Sequence, residues 1–222
     1  MKLNIQIKDK LDESEYLYLK NRWIRFADSL KMSIEKKQQI FEIITQYYSE
    51  SHRTYHNLVH LHSLFNVLDQ LFKIENILLE ASIWFHDIIY TIGNKNNEID
   101  SAYKSTELLK EFLDVDSLQI IENLIKSTQK HLPIYQEGLN GTLNRILLDI
   151  DLSILATSWD TYQNYTKAIR REYLVYSDEE FKYGRKLVMQ KFLERPSMYY
   201  TTIFQSLLET KARANIHKEI NL

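Results

Sequence analysis

The amino-acid sequence predicts an all-α protein, a bundle of helices without a sheet. Three observations point that way. Only four glycines and two prolines occur in 222 residues, so tight turns and helix breakers are scarce. Apolar residues recur at helical spacing through most of the chain. The one β-prone run of note, 88–92, has no partner run set off by turn signals. A chain of this length buries a substantial core. No repeat, low-complexity segment or linker divides it, so the expectation is a single domain over 1–222 with helical extensions at both ends.

The first helix is expected over 14–30, where Leu19, Trp23, Phe26, Ala27 and Leu30 form an apolar stripe. Ser33 is a candidate cap for a second helix reaching Tyr48, with Ile34, Ile40, Phe41, Ile44 and Tyr47 on one side. A polar stretch, 49–57, leads into a third helix over 58–72, carrying Leu61, Leu64, Phe65, Leu68 and Leu71. The fourth, 74–87, becomes almost wholly apolar at Ala81, Ile83, Trp84 and Phe85, which predicts a central place in the bundle. The polar run 94–97 is the clearest loop. Helices then follow over 98–112, 116–130, 143–156, 159–176 and 179–193, the last bounded by Arg195-Pro196, and a final one covers 200–220.

Composition narrows the function. The formal net charge is -2, from 28 basic and 30 acidic residues, so no basic excess argues for a nucleic-acid polymer as partner. With no cysteine, disulfides and thiolate chemistry are excluded, and any metal must be held by nitrogen and oxygen. The opening MKLNIQIKDKLDESEY has no sustained apolar run and does not read as a signal peptide. No stretch of about 18 apolar residues suggests a membrane span, so a cytoplasmic location and no membrane partner are expected. A homodimer is the generic expectation for a soluble assembly.

Six of the seven histidines fall between His52 and His131. His56 and His60 are four apart and share a face if both are helical. His86-Asp87 closes a strongly apolar helix, where a charged aspartate is costly unless paired, hydrogen-bonded or ligating a cation. Asp149 and Asp151, in the apolar run LNRILLDIDLSIL, pose the same problem. Two imidazoles and two carboxylates converging from separate helices resolve it, and such a set suits manganese, iron, zinc or magnesium. The competing readings are a core or interface pair for His56 and His60, and a helix cap or tyrosine partner for Asp149. His52, His62 and His217 read as structural or surface residues.

The order His, His-Asp, Asp on successive helices resembles the HD-domain superfamily of metal-dependent phosphohydrolases. A bacterial family of predicted HD-type phosphohydrolases is similar over nearly the whole chain, through YHNLVH, WFHDIIY, NEIDSA, LLDIDLSIL, AIRREY, FKYGRKLVMQKFL and TKARANI. The resemblance implies an HD-domain-like helical bundle and hydrolysis of a phosphate ester, on a small phosphorylated substrate or a nucleotide. YHNLVH also resembles the catalytic motif of cyclic-nucleotide phosphodiesterases, which makes His56 the general acid and His60 a ligand. The HD pair falls on His86 and Asp87. The last ligand, in an Ala-Asp-x-Leu setting in many members, falls on Asp151, with Asp149 the alternative. The histidine that phosphodiesterases place shortly after their HD pair is absent from HDIIYTIG. The later His131 is a candidate for a second metal or the substrate phosphate, or a helix end.

On this reading Asp87 also orients the attacking water or bridges two ions, and protonated His56 donates to the leaving oxygen. Phosphate contacts are sought in Arg53, beside the YHN motif, and Arg185, with Lys130, Arg145 and Arg170 as further cations. Glu98 is a candidate partner for a ligand histidine, and Tyr55, Trp84, Tyr90 and Tyr103 are candidates for an aromatic pocket. The main alternative is a catalytically silent HD-fold regulatory protein that binds a metal or nucleotide. An iron-dependent oxygenase and a helical interaction module are the more distant ones.

Overall fold

Most helices in this chain begin where the sequence supplies a side chain to cap them. The structure, a computed structural model, describes Leu3 and residues 5–221. Asp12 opens α1 (Glu13–Ser29) with a capping box, its carboxylate accepting from Glu15 N while Glu15 accepts from Asp12 N. Ser33 caps α2 (Ile34–Tyr48), Asn57 caps α3 (Leu58–Leu71) and Asn76 caps α4 (Ile77–Phe85). After α5 (Asn97–Leu109), Asp114 caps α6 (Val115–Thr128). α7 (Gly138–Asp151) runs directly into a 3-10 segment, Leu152–Ala156. Ser158, Ser177 and Thr201 then cap α8 (Trp159–Glu172), α9 (Asp178–Leu193) and α10 (Thr202–Ile220). No strand occurs among the described residues, so the molecule is an all-α bundle.

Several boundaries differ from expectation: α7 begins at Gly138 rather than 143 and α5 ends at Leu109 rather than 112, and two others differ for a local reason. α4 starts at Ile77 rather than 74, because Asn76 Oδ1 captures both Leu78 N and Leu79 N. It ends at Phe85, so His86 and Asp87 stand at its exit. α8 stops at Glu172, four residues early, which turns Leu174, Val175 and Tyr176 into an exposed connection. His56 precedes the cap of α3, so it and His60 do not share a helical face.

α4 sits in the centre, packed against α1, α3, α5, α6 and α7. Trp84 is fully buried, edge-on to Trp23 at 5.6 Å between ring centroids and 4.8 Å from Phe65. Aromatic groups in such tilted and edge-on arrangements fill the space between helices, and Trp23 Nε1 also donates to Lys37 O at 2.8 Å. α10 covers the 3-10 segment and packs on α9, while Leu3 and Ile5 ahead of α1 are buried on the same core. No helix among the described residues is long and apolar enough to cross a membrane.

Candidate metal centre

The candidate ligands come from helix ends, where side chains from separate elements can meet. His60 lies in the first turn of α3, His86 and Asp87 at the exit of α4, and Asp151 closes α7. His60, His86 and Asp151 each contribute one ligand atom to a group lying within 4.8 Å of one another. The imidazole Nε2 atoms of His60 and His86 are 3.1 Å apart. Asp151 Oδ1 is 3.4 Å from the first and 3.7 Å from the second. Asp87 Oδ2 lies 3.1 Å from His86 Nε2 and 3.8 Å from His60 Nε2. Both histidines are buried, with 2% and 1% of their side chains exposed.

The surroundings fix which atoms point inward. His86 Nδ1 donates to Ile83 O at 2.9 Å, which turns Nε2 toward the cluster. A ligand imidazole needs this kind of support, since a carbonyl on one nitrogen sets the tautomer and raises the basicity of the other. Burial alone lowers the pKa of His86, but the charge and hydrogen bond of Asp87, then Asp151, bring it up to about 9. Burial works against ionisation of Asp87 and Asp151 too. It is outweighed by His86 at the former and by His131 and His60 at the latter, so both carboxyls lie well below their ordinary value. His60 is pushed down, chiefly by burial. Two buried carboxylates facing two imidazoles thus form a pocket of negative charge with nitrogen and oxygen donors, which fits a divalent cation.

His56 stands beside this cluster, its ring 5.8 Å from that of His60. Its Nδ1 donates to Glu172 Oε2 at 2.7 Å, and its own N and that of Tyr55 donate to Glu172 Oε1 at 2.9 and 2.7 Å. Tyr90 stacks on the His56 ring at 4.1 Å, and its hydroxyl donates to Glu172 at 3.2 Å. Burial lowers the pKa of His56, yet the charge and hydrogen bond of Glu172 overcome it and the net direction is upward. Glu172 was not singled out from the sequence. The only trace of it there is its place in AIRREY.

His131 Nε2 donates to the second oxygen of Asp151 at 2.9 Å. Its backbone is left-handed, φ 47°, an uncommon conformation for a residue with a Cβ. The Arg195 guanidinium and the Tyr200 hydroxyl both donate to the carbonyl of His131, at 2.9 and 2.7 Å. Glu98 lies within electrostatic reach of Asp87, His131 and Asp151, and burial first, then Asp87, hold its carboxyl above the ordinary value.

Other expected residues serve elsewhere. Asp149, the alternative last ligand, accepts from Tyr200 N at 2.8 Å, Thr201 N at 2.7 Å and Thr201 Oγ1 at 2.6 Å, which makes it the anchor for the start of α10. Arg53 is turned into the protein. Its fully buried guanidinium donates to Glu50 Oε2 and to the carbonyls of His56, Asp87 and Ile88, clipping the YHN turn to the exit of α4. Arg185 pairs with Glu219 at 2.9 Å and donates to the Tyr165 hydroxyl at 3.1 Å. The rings of Tyr165 and Tyr55 separate it from His60, so it braces α8, α9 and α10 rather than reaching the cluster.

Arg145 donates to Gln136 O, Arg170 pairs with Asp178, and Lys130 is exposed. Tyr55 and Tyr90 do line the His56 side, whereas Trp84 belongs to the core and Tyr103 is exposed beside Lys126. His52 contacts Tyr90 O at 2.7 Å, and His62 packs edge-on to Tyr18. His217 lies in the last turn of α10.

No protein-family model matches the chain, and no curated protein or solved structure matches it either.

Proposed function

We propose that this protein is a metal-dependent phosphohydrolase of HD-domain type, with residues 1–222 forming one helical domain. The observation that carries the reading is the meeting of His60, His86, Asp87 and Asp151 next to a third histidine, His56, supported independently by Glu172. A purely structural metal needs the first group and has no use for His56. The four side chains would hold the cation, which supplies Lewis-acid stabilisation of a phosphoryl oxygen and an acidified water. The order of the residues along the chain, and the segments similar to HD-type phosphohydrolases, support the same conclusion.

Each residue has a defined task on this reading. Glu172 keeps the proton on His56 Nδ1 and steadies the imidazolium, so that Nε2 can deliver a proton to the leaving oxygen as the ester bond breaks. Tyr90 fixes the plane of that ring by stacking. His131 orients Asp151 through the oxygen that faces away from the other two histidines. Arg53 keeps the backbone of His56 and Asp87 at a constant separation.

The test combines metal analysis of protein purified without an affinity tag with hydrolysis of bis(p-nitrophenyl) phosphate by the same sample after addition of manganese. Stoichiometric metal with turnover supports the proposal. Stoichiometric metal without turnover, over a panel of phosphomonoesters and nucleotides as well, favours the silent regulatory protein. No metal after reconstitution overturns both.

A further inference from the structure

α9 contributes little to the core: only Met189 and Phe192 are fully buried along its length. Its inner side, Phe181, Arg185, Met189 and Phe192, follows the four-and-three spacing of one helical face. A second stripe, about a third of a turn around the helix, runs through Glu180, Tyr183, Gly184, Leu187 and Lys191, with Val188 at its edge beside Phe181 and Phe192. On it Tyr183 is 68% exposed, Leu187 41% and Val188 47%. Immediately before the helix, Leu174 and Val175 add 69% and 76% exposed side chains. Exposed apolar residues grouped on one helix mark a surface that meets another.

Two further observations say what covers this stripe. Gly184 lies in the helix interior, where glycine weakens a helix relative to alanine, and a Cβ built there meets nothing within 4 Å. Packing within one chain therefore gives no reason for it. A second backbone approaching closely would supply one. The charges are also ordered along the helix: of the first-turn acids Asp178 pairs with Arg170 and Glu180 Oε2 closes the capping box with Ser177, which leaves Glu180 Oε1 for an outside partner, while Lys191 lies in the last turn. A parallel neighbour of the same kind would set acid against acid. An antiparallel one sets acid against base at both ends.

We propose that the outer face of α9 is the seam of a two-fold homodimer, in which α9 of one copy packs antiparallel on α9 of a second. About an axis passing between Arg185 and Lys186, Glu180 meets Lys191 of the second copy. Tyr183 meets its Val188, and Leu187 seats over its Gly184. Every contact is repeated by symmetry, as a closed isologous interface requires. The face lies on the side of α9 away from Arg185 and the metal cluster, so the proposal does not depend on the enzymatic reading.

Sedimentation velocity on the full chain, from low micromolar to near-millimolar concentration, tests it. The expected result is a concentration-dependent monomer–dimer equilibrium that Leu187→Arg weakens about tenfold or more. Gly184→Ala should raise the melting temperature of the dilute monomer and yet weaken the dimer, a split that a role within one chain does not produce. Glu180→Lys and Lys191→Glu should each weaken association, and the two together should restore it. A monomer at every concentration overturns the proposal and leaves the face without a second copy. A dimer indifferent to Leu187→Arg and Gly184→Ala uses another surface and overturns it equally.

Discussion

Replacing Arg53 by lysine separates two roles for that residue. The guanidinium makes four hydrogen bonds, one to Glu50 and three to the carbonyls of His56, Asp87 and Ile88, with none of its side chain exposed. A lysine keeps the charge but loses the planar fork, and its single ammonium can reach about two of those acceptors. Two lost bonds, each leaving a buried acceptor unsatisfied, cost about 2–4 kcal/mol. That is a large share of a total stability of about 5–15 kcal/mol. For a chain of this size it lowers the melting temperature by roughly 5–15 °C. Because the clip joins the backbone of His56 to that of Asp87, metal affinity should fall with it. The assay is a thermal melt followed by circular dichroism, with a manganese titration on the same preparation. A residue that contacted only substrate phosphate would raise KM and leave both readings unchanged. A lysine variant melting within about 1 °C of the wild type, with unaltered metal affinity, refutes the clip.

Asp151→Asn or His86→Ala should strip most of the bound metal, measured by plasma emission, whereas Asp149→Asn should retain metal and lower the melting temperature, because Asp149 anchors Tyr200 and Thr201. An Asp149→Asn protein that loses metal while Asp151→Asn keeps it would reverse the choice between the two aspartates. Glu172→Gln should leave metal content near wild type and slow phosphate-ester turnover by about 10²–10⁴-fold, the usual worth of a general acid; unchanged turnover removes Glu172 from the proposed mechanism. Glu209 gives a pH prediction. Burial pushes its carboxyl up, but the Met198 N–H, the Ser197 hydroxyl and Arg213 outweigh it, so its folded pKa lies below the ordinary 4.5. A depressed carboxylate stabilises the fold above its unfolded pKa, and that contribution is lost as pH falls through the folded value. Glu209→Gln should therefore narrow the stability difference between pH 6 and pH 3 in urea melts, and an unchanged difference would show that Glu209 is not held this way.

The helices were largely legible because their signals are local. Ser33 before Ile34, the apolar stripe of α1 and the dense apolar end of α4 each act within a few residues. The meeting of His60, His86 and Asp151 was legible for a related reason: charged aspartates inside apolar runs demand a partner wherever the chain leads. What stayed out of reach depends on contacts between distant segments. Glu172 acts on His56 across more than a hundred positions, and nothing near it in sequence marks it as different from its charged neighbours. Asp149 and Asp151 look alike in the run LLDIDL, yet, two positions apart on α7, one points toward α10 and the other toward the histidines. Arg53 looked like a phosphate contact because it sits beside the YHN motif. In the fold its side chain turns inward to backbone carbonyls, a preference that sequence position does not encode.

The placement of the cluster also bears on how the protein is made. His60, His86, Asp87 and Asp151 all precede α8, whereas Glu172 is the last residue of α8 and Arg185 and Glu219 follow it. During synthesis from the N-terminus, the whole ligand set leaves the ribosome while the last third of the chain is still being added. A cation captured at that stage would tie α3, α4 and α7 together early, and α8 to α10 would then close over a centre already assembled. Chelation during translation should accordingly harm the yield of folded protein more than chelation afterwards.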